Sequence, residues 1–268
     1  MLRHAYLIIA HNEFEVLRHL LAALDDVRND IYIHFDKKVK NIPTVHTVNS
    51  RLFILEKRVD VRWGDVSQIK TELLLFETAF RNGPYEYYHL ISGTHLPLKD
   101  QNEIHRFFDE HKGNEVMRLW KLDEWEVDVK VRRRSLMVRW NQSPISVLRY
   151  ISQLTFTVAQ RLQRVVGYKR YADCRFTKSD NWISITERAT AFLVNNKGLI
   201  LRKYSQTFCA DEFFAASELI NNDFKIFDYD KLLYVRFGPP KPVTFQLSEL
   251  PRLMETGYLF ARKFTASE

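Results

Sequence analysis

Ala5-Tyr6-Leu7-Ile8-Ile9-Ala10 is an unbroken apolar run close to the start of the chain. A strand with one wet face alternates polar and apolar residues; a run without alternation suits a strand covered on both faces. Beyond it, Phe14, Leu17, Leu20, Leu21 and Leu24 recur at helical spacing over residues 13–24. Ile31 to Phe35 reads as a second strand and Leu52 to Leu55 as a third. Ser67 to Phe80 reads as a helix with Asp65 or Ser67 near its start, and Tyr87 to Ile91 as another buried strand. Strands and helices alternating in this way predict βαβ units, hence an α/β protein with a mostly parallel central sheet flanked by helices.

Ligands of such sheets gather at the carboxyl ends of the strands. That rule sends His11-Asn12-Glu13, Asp36-Lys37-Lys38 and Ser92-Gly93-Thr94-His95 to one rim. Polar residues after apolar runs also describe ordinary loops, and Asp36 taken alone suits a turn as well as a ligand contact.

A length of 268 residues, 46% of them hydrophobic and 27% charged, accommodates one large α/β domain or two small ones and argues against disorder. Two cysteines, Cys174 and Cys209, exclude a disulfide framework, and no Cys/His spacing fits a structural zinc. Neither a secretory signal nor a run of membrane-spanning length is read, which leads to the expectation of a cytoplasmic protein. The formal charge of +7 calls for an acidic partner, whether nucleic acid, anionic lipid or a nucleotide-sugar.

The character changes over residues 130–172, where ten lysines and arginines crowd together. The apolar residues from Ile145 to Val166 fit a helix with one greasy and one basic side. The plainer expectation packs the greasy side on the body and leaves the basic side in water; the other lays the helix on an anionic membrane. The α/β pattern then returns, with a strand over Trp182–Ile185 and helices over Glu187–Asn195, Asp211–Ile220 and Leu247–Met254. Near the end, Tyr258-Leu259-Phe260-Ala261-Arg262-Lys263-Phe264 sets two adjacent cations between aromatic residues. Buried flanks would hold the backbone while Arg262 and Lys263 neutralise an anion such as a departing pyrophosphate; a solvated basic strand is the simpler alternative.

Several segments together resemble one inverting glycosyltransferase family, the core-2/I-branching N-acetylglucosaminyltransferases and peptide O-xylosyltransferases. They are Ala5 to His11, Ile31 to Lys37, Arg62-Trp63-Gly64, Tyr88 to Gly93 followed by Pro97-Leu98-Lys99, Asp180-Asn181-Trp182, Asp211 to Phe214 and Leu259 to Phe264. Each is weak alone, but the ordered set spans nearly the whole chain. The resemblance implies a GT-A-like fold, one domain over 1–268 carrying an insertion at 130–172, and a UDP-sugar donor used without a catalytic metal. It makes Glu212 the base that deprotonates the acceptor hydroxyl. Asp36 would sit near uracil or ribose, with His11 and Lys37 close by, and Trp63 would wall the donor or acceptor. Ser92, Gly93, His95, Asp180 and Trp182 would meet the acceptor or the donor sugar. Arg262 and Lys263, joined by Arg236 or Lys241, would clamp the diphosphate.

His95 departs from the family pattern, which frequently has an acidic residue there, so acceptor choice would differ. No Asp-x-Asp triplet follows a strand in the place a metal-dependent enzyme needs it. Asp25-Asp26 sits at a helix end, and Asp228-Tyr229-Asp230 has the letters but reads as a turn. N-acetylglucosamine is the expected donor sugar, xylose the next, and a glycan or lipid-linked saccharide the acceptor. The rivals are a nucleic-acid-binding protein, for which no helix-turn-helix, RRM or finger pattern is found, and a sugar-nucleotide binder without turnover.

Overall fold

The computed structural model describes residues 3–238 and 241–266. Its centre is a seven-stranded sheet. β1 (Arg3–Ala10) lies between β2 (Asn29–Phe35) and β4 (Tyr85–Ser92), parallel to both, and β3 (Arg51–Ile54) extends the sheet parallel to β2. On the other side β9 (Ser184–Thr186) runs antiparallel between β4 and β6 (Glu115–Met117), and β10 (Ile226–Asp228) completes that edge parallel to β6. Two-residue strands β5 (Leu96–Pro97), β7 (Leu119–Trp120) and β8 (Lys178–Ser179) pair outside the main sheet. This mixed α/β architecture with a mostly parallel sheet is the fold class the sequence predicts.

The unalternated run in β1 has the cause the sequence predicts. Ala5 and Leu7 enter one buried cluster with Ile69, Leu73 and Phe76 of α2 (Ser67–Asn82). Tyr6, Ile8 and Ala10 enter another with Leu17, Leu20 and Leu24 of α1 (Phe14–Leu24). Successive side chains point to opposite faces, so both faces must be apolar. α3 (Gln101–Glu110) joins the second layer and starts with a reciprocal capping box between Asp100 and Glu103.

The antiparallel β9 matters for function. Because it runs against β4, its entering end lies where the parallel strands leave, and Leu90 N–H donates to Ile183 at 2.8 Å. Asp180, Asn181 and Trp182 are thereby delivered to the carboxyl rim. The strand is shorter than the expected Trp182–Ile185, leaving Trp182 outside it. The Phe260–Arg262 strand reaches the same rim by pairing antiparallel with β5, immediately after β4.

Two expected helices are broken. Asp211–Ile220 becomes a 3-10 turn over Ala210–Glu212 and a helix over Phe214–Ile220, because Cys209 turns through left-handed φ 50° and Asp211 bonds to distant side chains. Leu247–Met254 splits into a 3-10 turn and a short helix with Pro251 in its first turn, where the missing N–H costs nothing.

In the basic segment, α4 (Glu124–Val127) runs into a π-type turn over Asp128–Arg132, and α5 spans Ser146–Val165. The helix forms where expected and its arginines are exposed, but most of its apolar side is not packed on the body as the plainer expectation has it. Ser152 and Gln160 are its buried residues, while Val147, Leu154, Val158 and Leu162 face outward.

Candidate active site

The rim is built from strand ends. Asp36 N–H donates to Ala10 at 2.9 Å where β1 and β2 finish together. The buried Asp36 carboxylate accepts from Lys38 N–H at 2.8 Å and from Lys38 Nζ at 2.6 Å. Asp36, Lys38, His11, Trp63, Gln68 and Arg139 line a hollow of about 370 Å³. Burial and then the neighbouring Lys263 hold the His11 imidazole below its usual pKa, against the pull of Asp36, so it is neutral at pH 7. Lys37 is exposed and lines neither this hollow nor the larger cleft.

Trp63 and Gln68 also line the adjoining cleft of about 590 Å³. Trp63 is 53% exposed, standing edge-on to Phe208 at 5.3 Å. Gly64 makes that possible: its φ is +71°, and a Cβ there would lie 2.8 Å from the Phe208 ring. Gln68 accepts from Gly64 N–H at 2.9 Å and donates to Asp211 Oδ2 at 3.0 Å, tying the Trp63 turn to the carboxylates.

Asp211 and Glu212 both line this cleft. Asp211 Oδ2 also accepts from Asn181 Nδ2 at 2.7 Å. Burial, then the charge of Glu212, push the Asp211 carboxyl up to about 7. Glu212 takes a different partner, accepting from Lys130 Nζ at 2.7 Å, with Lys178 Nζ at 3.6 Å. Both lysines also meet Glu126, at 2.6 and 2.7 Å. Burial pulls the Lys130 pKa down, but Glu212 and Glu126 outweigh it and raise it, so Lys130 stays charged.

The cations Arg262 and Lys263 line the same cleft, together with Asp180 and Trp182. The Arg262 guanidinium lies over the Trp182 ring at 4.8 Å, a cation–π contact. Burial lowers the Arg262 pKa to about 10, partly offset by Asp180, which leaves it protonated at neutral pH. Asp180 accepts from Trp120 Nε1 at 2.8 Å; burial raises its pKa, while Arg118 and Arg262 resist. Phe264 N–H donates to Thr94 at 3.0 Å, pinning the backbone just beyond the two cations.

Other predicted residues lie elsewhere. His95 is fully buried beneath Trp182, 4.8 Å between ring centroids, and its Nδ1 meets Ser92 N–H at 3.0 Å and Ser92 Oγ at 2.7 Å. Burial and Arg262 hold it neutral. Ser92 and Gly93 are buried with it and do not line the cleft. A Cβ on Gly93 would stand 3.2 Å from that of Ala10, so this glycine lets β4 and β1 approach at their ends. These three residues shape the floor under Trp182. Arg236 turns away from the cleft, over the Phe245 ring at 4.7 Å and toward Glu249 at 3.7 Å. The Lys241 side chain lies outside the described residues; its neighbour Pro242 lines the cleft.

Neither acidic pair from the sequence reaches the cleft. Asp25 accepts from the N–H groups of Val48, Asn49 and Ser50, and Asp228, which ends the edge strand β10 rather than lying in the expected turn, accepts from that of Leu119. Among the described residues no group of three or more His, Cys, Asp or Glu is disposed to hold a metal ion.

Sequence reasoning missed Gln68, Trp120, Lys130 and Lys178, and it placed Lys38 at the rim and Asn181 in a motif without giving either a role. Lys178 stands two residues before Asp180, so a wider reading of that motif would have found it. Lys130 had no signal: it was one cation among ten.

A sheet of this kind, with carboxylates and cations around one rim cleft, suits a glycosyltransferase. The chain belongs to the core-2/I-branching enzyme family, whose model matches residues 4–230. The match includes Asp211 and Glu212 but ends before Arg262 and Lys263, whose case rests on their position in the cleft. No curated protein matches the chain.

The raised Asp211 pKa has a consequence for stability. Between the unfolded value of 3.8 and the folded value of about 7, the native state holds the extra proton, so stability falls as pH rises through that window. The unfolding free energy of Asp211→Asn, measured against wild type by urea titration, should therefore gain on wild type from pH 4 to pH 7. A difference independent of pH would show that Asp211 ionises normally.

Proposed function

We propose that the enzyme is an inverting transferase that moves a sugar from a UDP-sugar to a hydroxyl of a glycan or lipid-linked saccharide without a metal ion. The observation carrying this is that Glu212 and the pair Arg262–Lys263 line one cleft. In the reaction, Glu212 accepts the proton of the acceptor hydroxyl. The acceptor oxygen bonds to the anomeric carbon, and the bond from that carbon to the diphosphate oxygen breaks. UDP leaves with the electron pair, and Arg262 and Lys263 neutralise the charge that develops on it. Cations already held in place stabilise that charge without reorganising as it forms.

The adjoining hollow with Asp36, His11 and Lys38 supports a seat for the nucleoside, and exposed Trp63, shared by both spaces, supports a wall against a sugar's C–H face. Asp180 is available to sugar hydroxyls. We read residues 1–268 as one catalytic domain in which the 130–172 insertion takes part, since its Lys130 holds Glu212. N-acetylglucosamine is the proposed donor sugar, with xylose next. The proposed setting is the cytoplasm at the inner membrane face, and no nucleic-acid partner is invoked.

A UDP-release screen over UDP-N-acetylglucosamine, UDP-xylose, UDP-galactose and UDP-glucose with simple saccharide acceptors tests this reading. Acceptor-dependent release is expected with the first, and less with the second. Release that is independent of any acceptor, or absent with all four donors, contradicts it.

A further inference from the structure

α5 is attached to the protein largely through uncharged polar side chains, while most of its apolar residues face outward. Ser152 Oγ donates to Met137 at 2.7 Å, and Gln160 Nε2 donates to Val129 at 3.2 Å. Gln163 exchanges hydrogen bonds with the Arg134 backbone, 2.8 Å in each direction. Phe156 packs on Phe208 at 5.3 Å. Residues 152, 156, 160 and 163 recur at helical spacing, so these contacts fix the rotation of the helix about its axis. The opposite face is then apolar and in solvent: Val147 is 66% exposed, Leu154 50%, Leu162 61% and Val165 85%. Ile151 and Val158 fill the stripe between them, along a helix about 30 Å long. A continuous apolar stripe left uncovered in this way marks a surface that meets something.

Charge identifies the occupant. From Val129 to Ala172 the sequence holds ten lysines and arginines and no aspartate or glutamate. Several of these cations are committed inward: Lys130 to Glu212, Arg133 and Lys169 to Asp128, Arg139 to Asp60. Arg161 and Arg164, on α5 itself, are exposed and have no side-chain partner among the described residues. A second copy of the chain laid stripe to stripe would bring these arginines together with no carboxylate in the segment to offset them. An anionic bilayer offers hydrocarbon to the stripe and phosphates to the arginines at once. No described helix is long and apolar enough to cross a membrane, so the contact is with the surface.

We infer that α5 is an interfacial helix that seats the enzyme on an anionic lipid surface. The seat is close to the cleft, since Phe156 of α5 touches Phe208, and Phe208 touches Trp63 at the cleft wall. An acceptor carried on a lipid would be presented there. That purpose rests on the proposed function; the binding itself does not, and it is measured without sugar transfer.

The test is flotation with phosphatidylcholine vesicles, with or without phosphatidylglycerol, at low and high salt. Wild type should float with the anionic vesicles at low salt, and far less with phosphatidylcholine alone or at high salt. Arg161→Gln/Arg164→Gln should lower partitioning by about 25-fold, roughly fivefold for each cation lost at the surface. Leu154→Ser/Val158→Ser/Leu162→Ser should abolish flotation while its circular dichroism and urea unfolding midpoint stay those of wild type, which shows that the variant folds. Failure of wild type to float at low salt, or undiminished flotation of the triple variant, overturns the inference. So does a wild-type dimer in sedimentation that the triple variant converts to monomer, because a second copy would then be the occupant.

Discussion

Glu212→Gln is expected to bind donor as wild type does and to turn over about two to four orders of magnitude more slowly, the loss typical of a positioned general base. The substitution keeps shape and removes the acceptor site for the proton. Glu212 lies at the end of a 3-10 turn whose geometry is set by neighbours rather than by its own side chain: Asp211 is held by Gln68 and Asn181. Lys130 would keep Glu126 at 2.6 Å, so the cation next to the lost charge still has a partner. Donor affinity by calorimetry and turnover by UDP release separate the two effects. Undiminished turnover removes Glu212 from the role, and equal losses in binding and turnover make it a structural residue.

Lys263→Ala should cost about two to three orders of magnitude in kcat, as loss of one preorganised group facing developing charge does. Its effect should fall on kcat more than on the acceptor KM, because the diphosphate gains charge only as the sugar leaves. Lys263 is a cleaner probe than Arg262. The Arg262 guanidinium is half-buried over Trp182, so Arg262→Ala would also remove packing from an indole that covers His95. A Lys263→Ala enzyme with normal kcat, or one that loses only acceptor affinity, would place the charge compensation elsewhere.

The layers of the fold were legible because burial imposes a pattern on sequence. β1 lacks alternation since α1 and α2 cover its two faces, and α1 shows its apolar stripe because its other side is wet. The antiparallel direction of β9 was not legible, since three residues carry no signal of direction. The site was legible where residues follow strand ends, as Asp36 and His11 do, and where a cation pair is fenced by aromatic residues, as Arg262 and Lys263 are. It was not legible where distant segments converge. Nothing in the order of residues says that Lys130 rather than Arg132 reaches Glu212, a contact made 82 residues apart. Ser92, Gly93 and His95 show the converse: they follow a strand, yet Trp182 closes over His95 and turns them into its support. α5 shows that an amphipathic pattern gives a helix and its two faces, whereas the hydrogen bonds of Ser152 and Gln160 decide which face turns inward.

The central claim is that side-chain cations do for the departing diphosphate what a divalent ion does in other enzymes. It is tested most directly by measuring acceptor-dependent UDP release in a large excess of EDTA. The account predicts an unchanged rate, with Lys263→Ala remaining slow whether or not manganese is added. Abolition of wild-type release by EDTA and its restoration by manganese would contradict it.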